Sequence, residues 1–179
     1  VNAIPNLYLI PTFAIGGGLK LYAETKLSDE PYIIQDLVKS LDNEFDHIIL
    51  DLSPGLGRLE RSALVASNEV ITPMTPEVFS LDGLEIFIEE LDKLRKNLRS
   101  NLIHSKIIIN SFDNRIKQHR DILTAATEGK FDVYKIPVDP HFRKAQEASL
   151  APQLFKIRGR GLKPATVEAF EMLNQDIWS

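Results

Sequence analysis

Apolar residues along the chain fall into two alternating patterns. Short runs bounded by polar residues or proline occur at residues 6–11 (NLYLIP), 47–52 (HIILDL), 69–72 (EVIT), 105–110 (SKIIIN) and 133–138 (VYKIPV). Such runs predict strands, and those at 47–52 and 105–110 read as buried on both faces. The first ends at Pro11 and the third at Pro73, where a central ladder cannot continue. Between them apolar positions recur at helical spacing. Ile33, Ile34, Leu37, Val38 and Leu41 share one face behind a Ser28-Asp29 cap. Residues 59–66 predict a short helix. Ser80 is placed to cap a long helix with Leu84, Phe87, Ile88, Leu91 and Leu94 inward. Helices are also expected over residues 115–128 and 142–149, and from Pro164 onward with Val167, Phe170, Leu173 and Ile177 on one side. Residues 154–163 read as a loop. Strands alternating with helices, without hairpin signals, mean an α/β fold: a mostly parallel sheet with helices on both faces.

The 47–52 run carries the first candidate chemistry. It contains Asp51, followed after Leu52 by Ser53-Pro54-Gly55-Leu56-Gly57. A carboxylate at the carboxyl end of a parallel strand, leading into a Gly/Pro turn, lies where open α/β sheets bind ligands. There it suits a Mg²⁺ shell or an attacking water, with glycine amides approaching a γ-phosphate. The same residue read locally is a cap for the next helix, and both readings stand at this point. Gly16-Gly17-Gly18-Leu19-Lys20 invites a phosphate-loop reading but lacks its chemistry. A phosphate loop needs glycine directly before the lysine and Ser or Thr after it, whereas leucines flank Lys20. A turn before a short helix is expected there.

Composition narrows the classes. The 179 residues fit one domain, residues 1–179, and 44% apolar with 26% charged is ordinary for a globular chain. No apolar run reaches the roughly 20 residues that cross a bilayer, so a cytoplasmic protein is expected. Zero cysteines exclude disulfide, thiolate-metal and iron–sulfur chemistry. His47, His104, His119 and His141 show no metal-ligand spacing. The net charge of −4 argues against a wholly basic nucleic-acid binder but is silent on a local patch. Lys93, Arg95, Lys96 and Arg99 suit the C-terminus of the long helix and read as a solvated helix end.

The stretches DHIILDLSPGLG and ALVASNEVITPMTPEVFSLDGL closely resemble the switch II region and following strand of ParA-type partition ATPases. These belong to the deviant-Walker family that includes MinD. The resemblance is strong over residues 44–85 and looser over 4–11 and 106–176. It implies a P-loop NTPase-like fold, ATP and Mg²⁺ as cofactors, and Asp51 as the catalytic residue and metal contact, directly or through water. It also implies Pro54, Gly55 and Gly57 as the γ-phosphate switch, and Asn110, Pro137 and Asp139 as the adenine side. For Asn110 and Asp113 the local alternative is turn hydrogen bonding. Ser53-Pro54 is nearer the MinD version of the motif than the two prolines common in the family.

Residues 148–167 contain no acidic side chain but include Lys156, Arg158, Arg160 and Lys163, alternating with glycines. The resemblance implies that these contact nucleoid DNA without reading bases, with Arg115, Lys117 and Arg120 extending the surface. The plain alternative is a solvated loop. The resemblance also implies a homodimer and a ParB-type partner. The C-terminus lacks the basic amphipathic helix that would dock a MinD-type protein, so no membrane contact is expected.

The family's Gly-Lys-Thr phosphate loop is absent from these 179 residues. The family unit holding it normally sits beside the Asp51 strand, whose edge would otherwise be unpaired. A fragment of a longer protein, a truncated paralogue and a loop supplied by another chain are all consistent with this. The 179 residues alone are expected not to hydrolyse ATP. Two other functions stay open: a non-catalytic protein-interaction module, and a MinD-like spatial regulator of flagella or secretion.

Overall fold

The computed structural model describes residues 5–11, 18–25, 32–98, 101–129, 131–152 and 161–178. In chain order their elements are α1 (Gly18–Thr25), α2 (Ile33–Leu41), α3 (Arg58–Ala66), β1 (Glu69–Met74), α4 (Val78–Leu98), β2 (Ile103–Phe112), α5 (Lys117–Glu128), β3 (Asp132–Pro137), α6 (Pro140–Glu147) and α7 (Pro164–Trp178). They divide into two compact units, one of Val1–Ser67 with Leu94–Ser100, the other of Asn68–Lys93 with Asn101–Ser179.

The second unit holds the sheet. Its strands run parallel in the order β1-β2-β3, with Met74 opposite Ile109 and Phe112 opposite Pro137. The central strand places Ile107 and Ile109 at 0% exposure. They anchor a core with Met74, Leu84, Phe112 and Ile122. α4 presents Leu84 and Leu91 to the interior and leaves Ile86 exposed, as its helical spacing requires. The strands are also pinned through polar groups. Lys106 Nζ donates to Glu69 at 2.6 Å and Ser105 to the same oxygen at 2.7 Å. Burial alone would raise the Glu69 carboxyl, but these partners bring it below its ordinary value. His104 shares a hydrogen bond of 2.8 Å with Thr72, its ring packed near Phe87 and Phe131. On the β3 side, the Tyr134 hydroxyl donates to Asp176 of α7. Burial first, then the hydrogen bond to Asp176, pushes that phenol up to about 12.

Several boundaries differ from the sequence reading. β1 continues through Pro73 to Met74. It is the edge strand among those described, a position where a sheet tolerates proline. α4 opens at Val78, placing Ser80 inside its first turn, where the hydroxyl lies 3.2 Å from that of Thr75. α6 begins at Pro140, earlier than expected, because Asp139 caps it. α2 begins at Ile33 behind Tyr32, which makes no side-chain cap bond; Ser28 and Asp29 lie outside the described residues.

The first unit departs further. α3 buries Ser62, Ala63, Leu64 and Val65 and packs against α1 and α2. Gln35 Nε2 reaches the Val65 carbonyl at 3.4 Å. The apolar face of α2 is only half-buried, with Leu37 exposed. The expected strands at 6–11 and 47–52 are not strands. Residues 7–11 and 47–53 join no ladder, and Ile49 is 73% exposed instead of buried. An apolar run becomes a buried strand only when a neighbour supplies ladder partners and a covering face. Among the described residues none does so here. The Tyr8 ring meets Phe45 edge-on at 5.3 Å.

Candidate functional site

Asp51, Pro54, Gly55 and Gly57 lie on one turn in the first unit. Asp51 is exposed, at the end of the unladdered run. The Gly55 amide donates to the Ser53 carbonyl at 2.8 Å, and Arg61 N to the Gly57 carbonyl at 3.0 Å, which opens α3. Gly57 is the N-cap of that helix, and no side chain caps it. The capping alternative for Asp51 is therefore not what the structure shows. Glu60 folds back over the turn: its carboxylate accepts from the Ser53 hydroxyl, and a Cβ added to Gly57 would stand 2.7 Å from Glu60 Oε2.

Asp51 is a single carboxylate facing solvent. Among the described residues no group of three His, Cys, Asp or Glu side chains could hold a metal ion. A Mg²⁺ ion takes one or two protein carboxylates plus phosphate oxygens and waters, so Asp51 fits as one ligand in a shell completed elsewhere. The described residues do not themselves form that shell.

In the second unit the expected base-side residues come together at the carboxyl end of the sheet. β2 ends with Asn110, Ser111 and Phe112, and β3 with Pro137. Val138 N donates to the Phe112 carbonyl at 3.2 Å, which closes the two strand ends on each other. Asn110 is exposed, and its Oδ1 accepts the Ser111 amide at 2.9 Å. Ser111 has φ of 57°, a left-handed conformation that aims the chain out of the strand. The turn beyond it is self-bonded. Asp113 accepts from the Arg115 amide and, at 3.0 and 2.6 Å, from its guanidinium. Those hydrogen bonds hold the Asp113 carboxyl well below the usual carboxylate range. The turn reading of Asp113 is thus realised.

Asp139 is committed within the protein. Its side chain is fully buried and accepts from His141 N (3.0 Å) and His141 Nδ1 (2.8 Å) on one oxygen. The other accepts Lys163 N at 2.8 Å and the buried Thr166 hydroxyl at 3.0 Å. Burial would raise this carboxyl, but the donors outweigh it and hold it down at about 2. Asp139 therefore offers a ligand the shape of its segment and no free oxygen. Lys163 Nζ donates to the Val138 carbonyl at 2.9 Å. Lys156, Arg158 and Arg160 lie outside the described residues.

Neither Thr166, whose partner lies 27 residues away, nor His141, two residues from the same partner, is marked by any local period. The one available signal was Asp139 directly before Pro140, a helix-start pair.

Against known proteins, a family model described as an AAA domain matches residues 2–104. The chain is 35% identical over 142 residues to the uncharacterized protein BBD21 of Borreliella burgdorferi, covering 79% of this chain and 57% of that protein. It is 26% identical over 146 residues to the chromosome partitioning protein ParA of Myxococcus xanthus, covering 80% and 52%. A Borrelia burgdorferi B31 protein assigned to plasmid partition (BB_S35), solved with AMPPNP bound, superposes with a TM-score of 0.68 at 21% identity, over 89% of this chain and 61% of that one. That likeness shows the fold. The chain thus spans between half and two thirds of the length of these relatives. With more than half of its residues under the family model, the chain belongs to the ParA/MinD-type family of P-loop ATPases.

Proposed function

We propose that this chain works in a ParA-like partition ATPase, where ATP drives dimerisation and non-specific DNA binding and a ParB-type partner stimulates hydrolysis. The observation that supports it most is the joined end of β2 and β3. Asn110 there offers both donor and acceptor atoms to a base, beside the Pro137–Val138 backbone shaped by Asp139. The AMPPNP held by the partition relative of the same fold fits this reading. Asp51 would serve Mg²⁺ and water, and Pro54, Gly55 and Gly57 would follow the γ-phosphate. A triphosphate also needs the lysine and Ser/Thr of a Gly-Lys-Thr loop, which these 179 residues lack, so turnover requires polypeptide beyond them. Lys156, Arg158, Arg160 and Lys163 would hold DNA phosphates.

Two measurements test the proposal. Mg²⁺-dependent ATP hydrolysis by the 179 residues alone would contradict the assignment of the phosphate loop to other polypeptide. Duplex DNA affinity should fall steeply with salt and be lost in Arg158→Glu plus Arg160→Glu; affinity unchanged by that pair sinks the DNA role. A second reading, a protein-interaction module, is favoured by the exposed apolar run Leu7, Tyr8, Leu9 and Ile10. It requires that the double substitution change nothing and that one defined protein bind through this run.

A further inference from the structure

The turn that leads out of β2 rests on a side chain of the following helix. A register shift between Ile109 and Phe112 sets Asn110 and Ser111 off the β3 ladder, and Ser111 is left-handed with φ of 57°. Phe112 is tied back through its carbonyl to Val138 N at 3.2 Å. Asp113 comes next and is half-buried. Its backbone amide donates at 2.9 Å to Nδ1 of His119, in the first turn of α5. Ile116 N closes the turn on the Asp113 carbonyl at 3.1 Å. The His119 ring also leans on Phe112, with 5.9 Å between ring centroids. One half-buried imidazole thus braces the far side of the segment that begins at Asn110.

A backbone amide only donates, so Nδ1 must present a lone pair, and the ring is neutral with its proton on Nε2. A protonated imidazole donates from both nitrogens. It would set N–H against N–H and leave the Asp113 amide without its acceptor. We propose that His119 is a positioning residue for the base side: its neutral ring holds residues 110–113 in place for Asn110, and protonation releases them. What the turn binds rests on the ParA-like reading above. The charged groups around His119 are Asp113 and its partner Arg115 on the turn, and Lys135 of β3, which lies over the Phe112 ring at 5.8 Å. Lys117, Arg120 and Asp121 flank it on α5, and Arg120 is bonded to the Asn114 carbonyl. The Asp113 carboxylate attracts a protonated ring, but its oxygens already accept three hydrogen bonds from Arg115. A bond from the ring to that carboxylate would replace the amide bond and not preserve it. Histidine ordinarily changes charge between about pH 5 and 8, so the brace is present at the alkaline end of that window and lost at the acid end.

The test is Mg·ATP affinity of the complete polypeptide, read by isothermal titration calorimetry at about pH 8 and about pH 5.5, across the histidine window. His119→Ala and His119→Asn are compared with the unsubstituted protein, each checked for folding by circular dichroism. At the higher pH His119→Ala should bind about fivefold more weakly, the scale of one net hydrogen bond. His119→Asn, whose Oδ1 accepts the same amide without titrating, should recover most of that loss. Acid should weaken the unsubstituted protein about fivefold more than His119→Asn. Proton uptake by the nucleotide and by His141 is common to both proteins and cancels in that comparison, which stands even if His119→Ala fails to fold. Equal acid losses in the unsubstituted and His119→Asn proteins, or full affinity in folded His119→Ala, overturn the positioning role. The functional reading survives that result if Asn110→Ala still weakens binding. A folded protein that binds no ATP at either pH overturns both.

Discussion

β2 and residues 47–52 are near twins in sequence and opposites in structure. SKIIIN and HIILDL are both short apolar runs leading into polar turns. In β2, ladders on both sides and helices bearing Leu84 and Ile122 leave Ile107 and Ile109 with 0% exposure. In the other unit Ile49 is 73% exposed, on a segment that joins no ladder. The difference teaches that hydrophobic pattern proposes a strand, whereas burial and backbone satisfaction depend on a neighbour that the run itself does not encode.

The largest expected effect that sharpens this contrast is in the core. Ile107→Ala removes a fully buried side chain and should destabilise the second unit by about 2–5 kcal/mol. Ile49→Ala should change stability by under about 0.5 kcal/mol. Urea unfolding of both variants decides it, and equal losses would show that residues 47–52 are buried after all.

Asp139→Asn comes next. The Asp139 carboxyl titrates at about 2 against an ordinary 3.8. Its stabilisation is therefore complete above the ordinary value and lost as pH falls through about 2. A shift of that size corresponds to about 2 kcal/mol. Asp139→Asn should lose stability by that order near neutral pH and flatten the fall between those two pH values. An unchanged acid limb would show that the junction is not formed in solution.

A smaller effect is expected from Thr72→Val, which breaks the hydrogen bond to His104 between β1 and β2. A loss of about 1 kcal/mol in thermal or urea unfolding is expected, and no loss would mean that the pair contributes nothing net.

Much of the fold was legible because it is local. The heptad-like spacing of Leu84, Leu91 and Leu94 gave α4, and the Pro164 start gave α7. The continuous apolar character of residues 105–110 gave the central strand. Asp51 with Gly55 and Gly57 was found as one turn because its members are neighbours in sequence. The exposed state of residues 47–52 was illegible from the run itself, since it depends on partners elsewhere. So was the Asp139 junction. Nothing near Thr166 or Lys163 announces an acceptor 24 or more residues earlier, and only the fold brings them together.

The central claim, that the ends of β2 and β3 form the base side of a nucleotide site, is tested most directly by amide chemical shifts. Titrating the ¹⁵N-labelled complete polypeptide with Mg·ATP should perturb Asn110, Ser111, Val138 and Asp139 first among the amides of the second unit. Substituting Asn110→Ala should weaken the titration by about tenfold, the scale of one well-made hydrogen bond. Binding that leaves those four amides unmoved, or an Asn110→Ala protein that titrates like the original, contradicts the account.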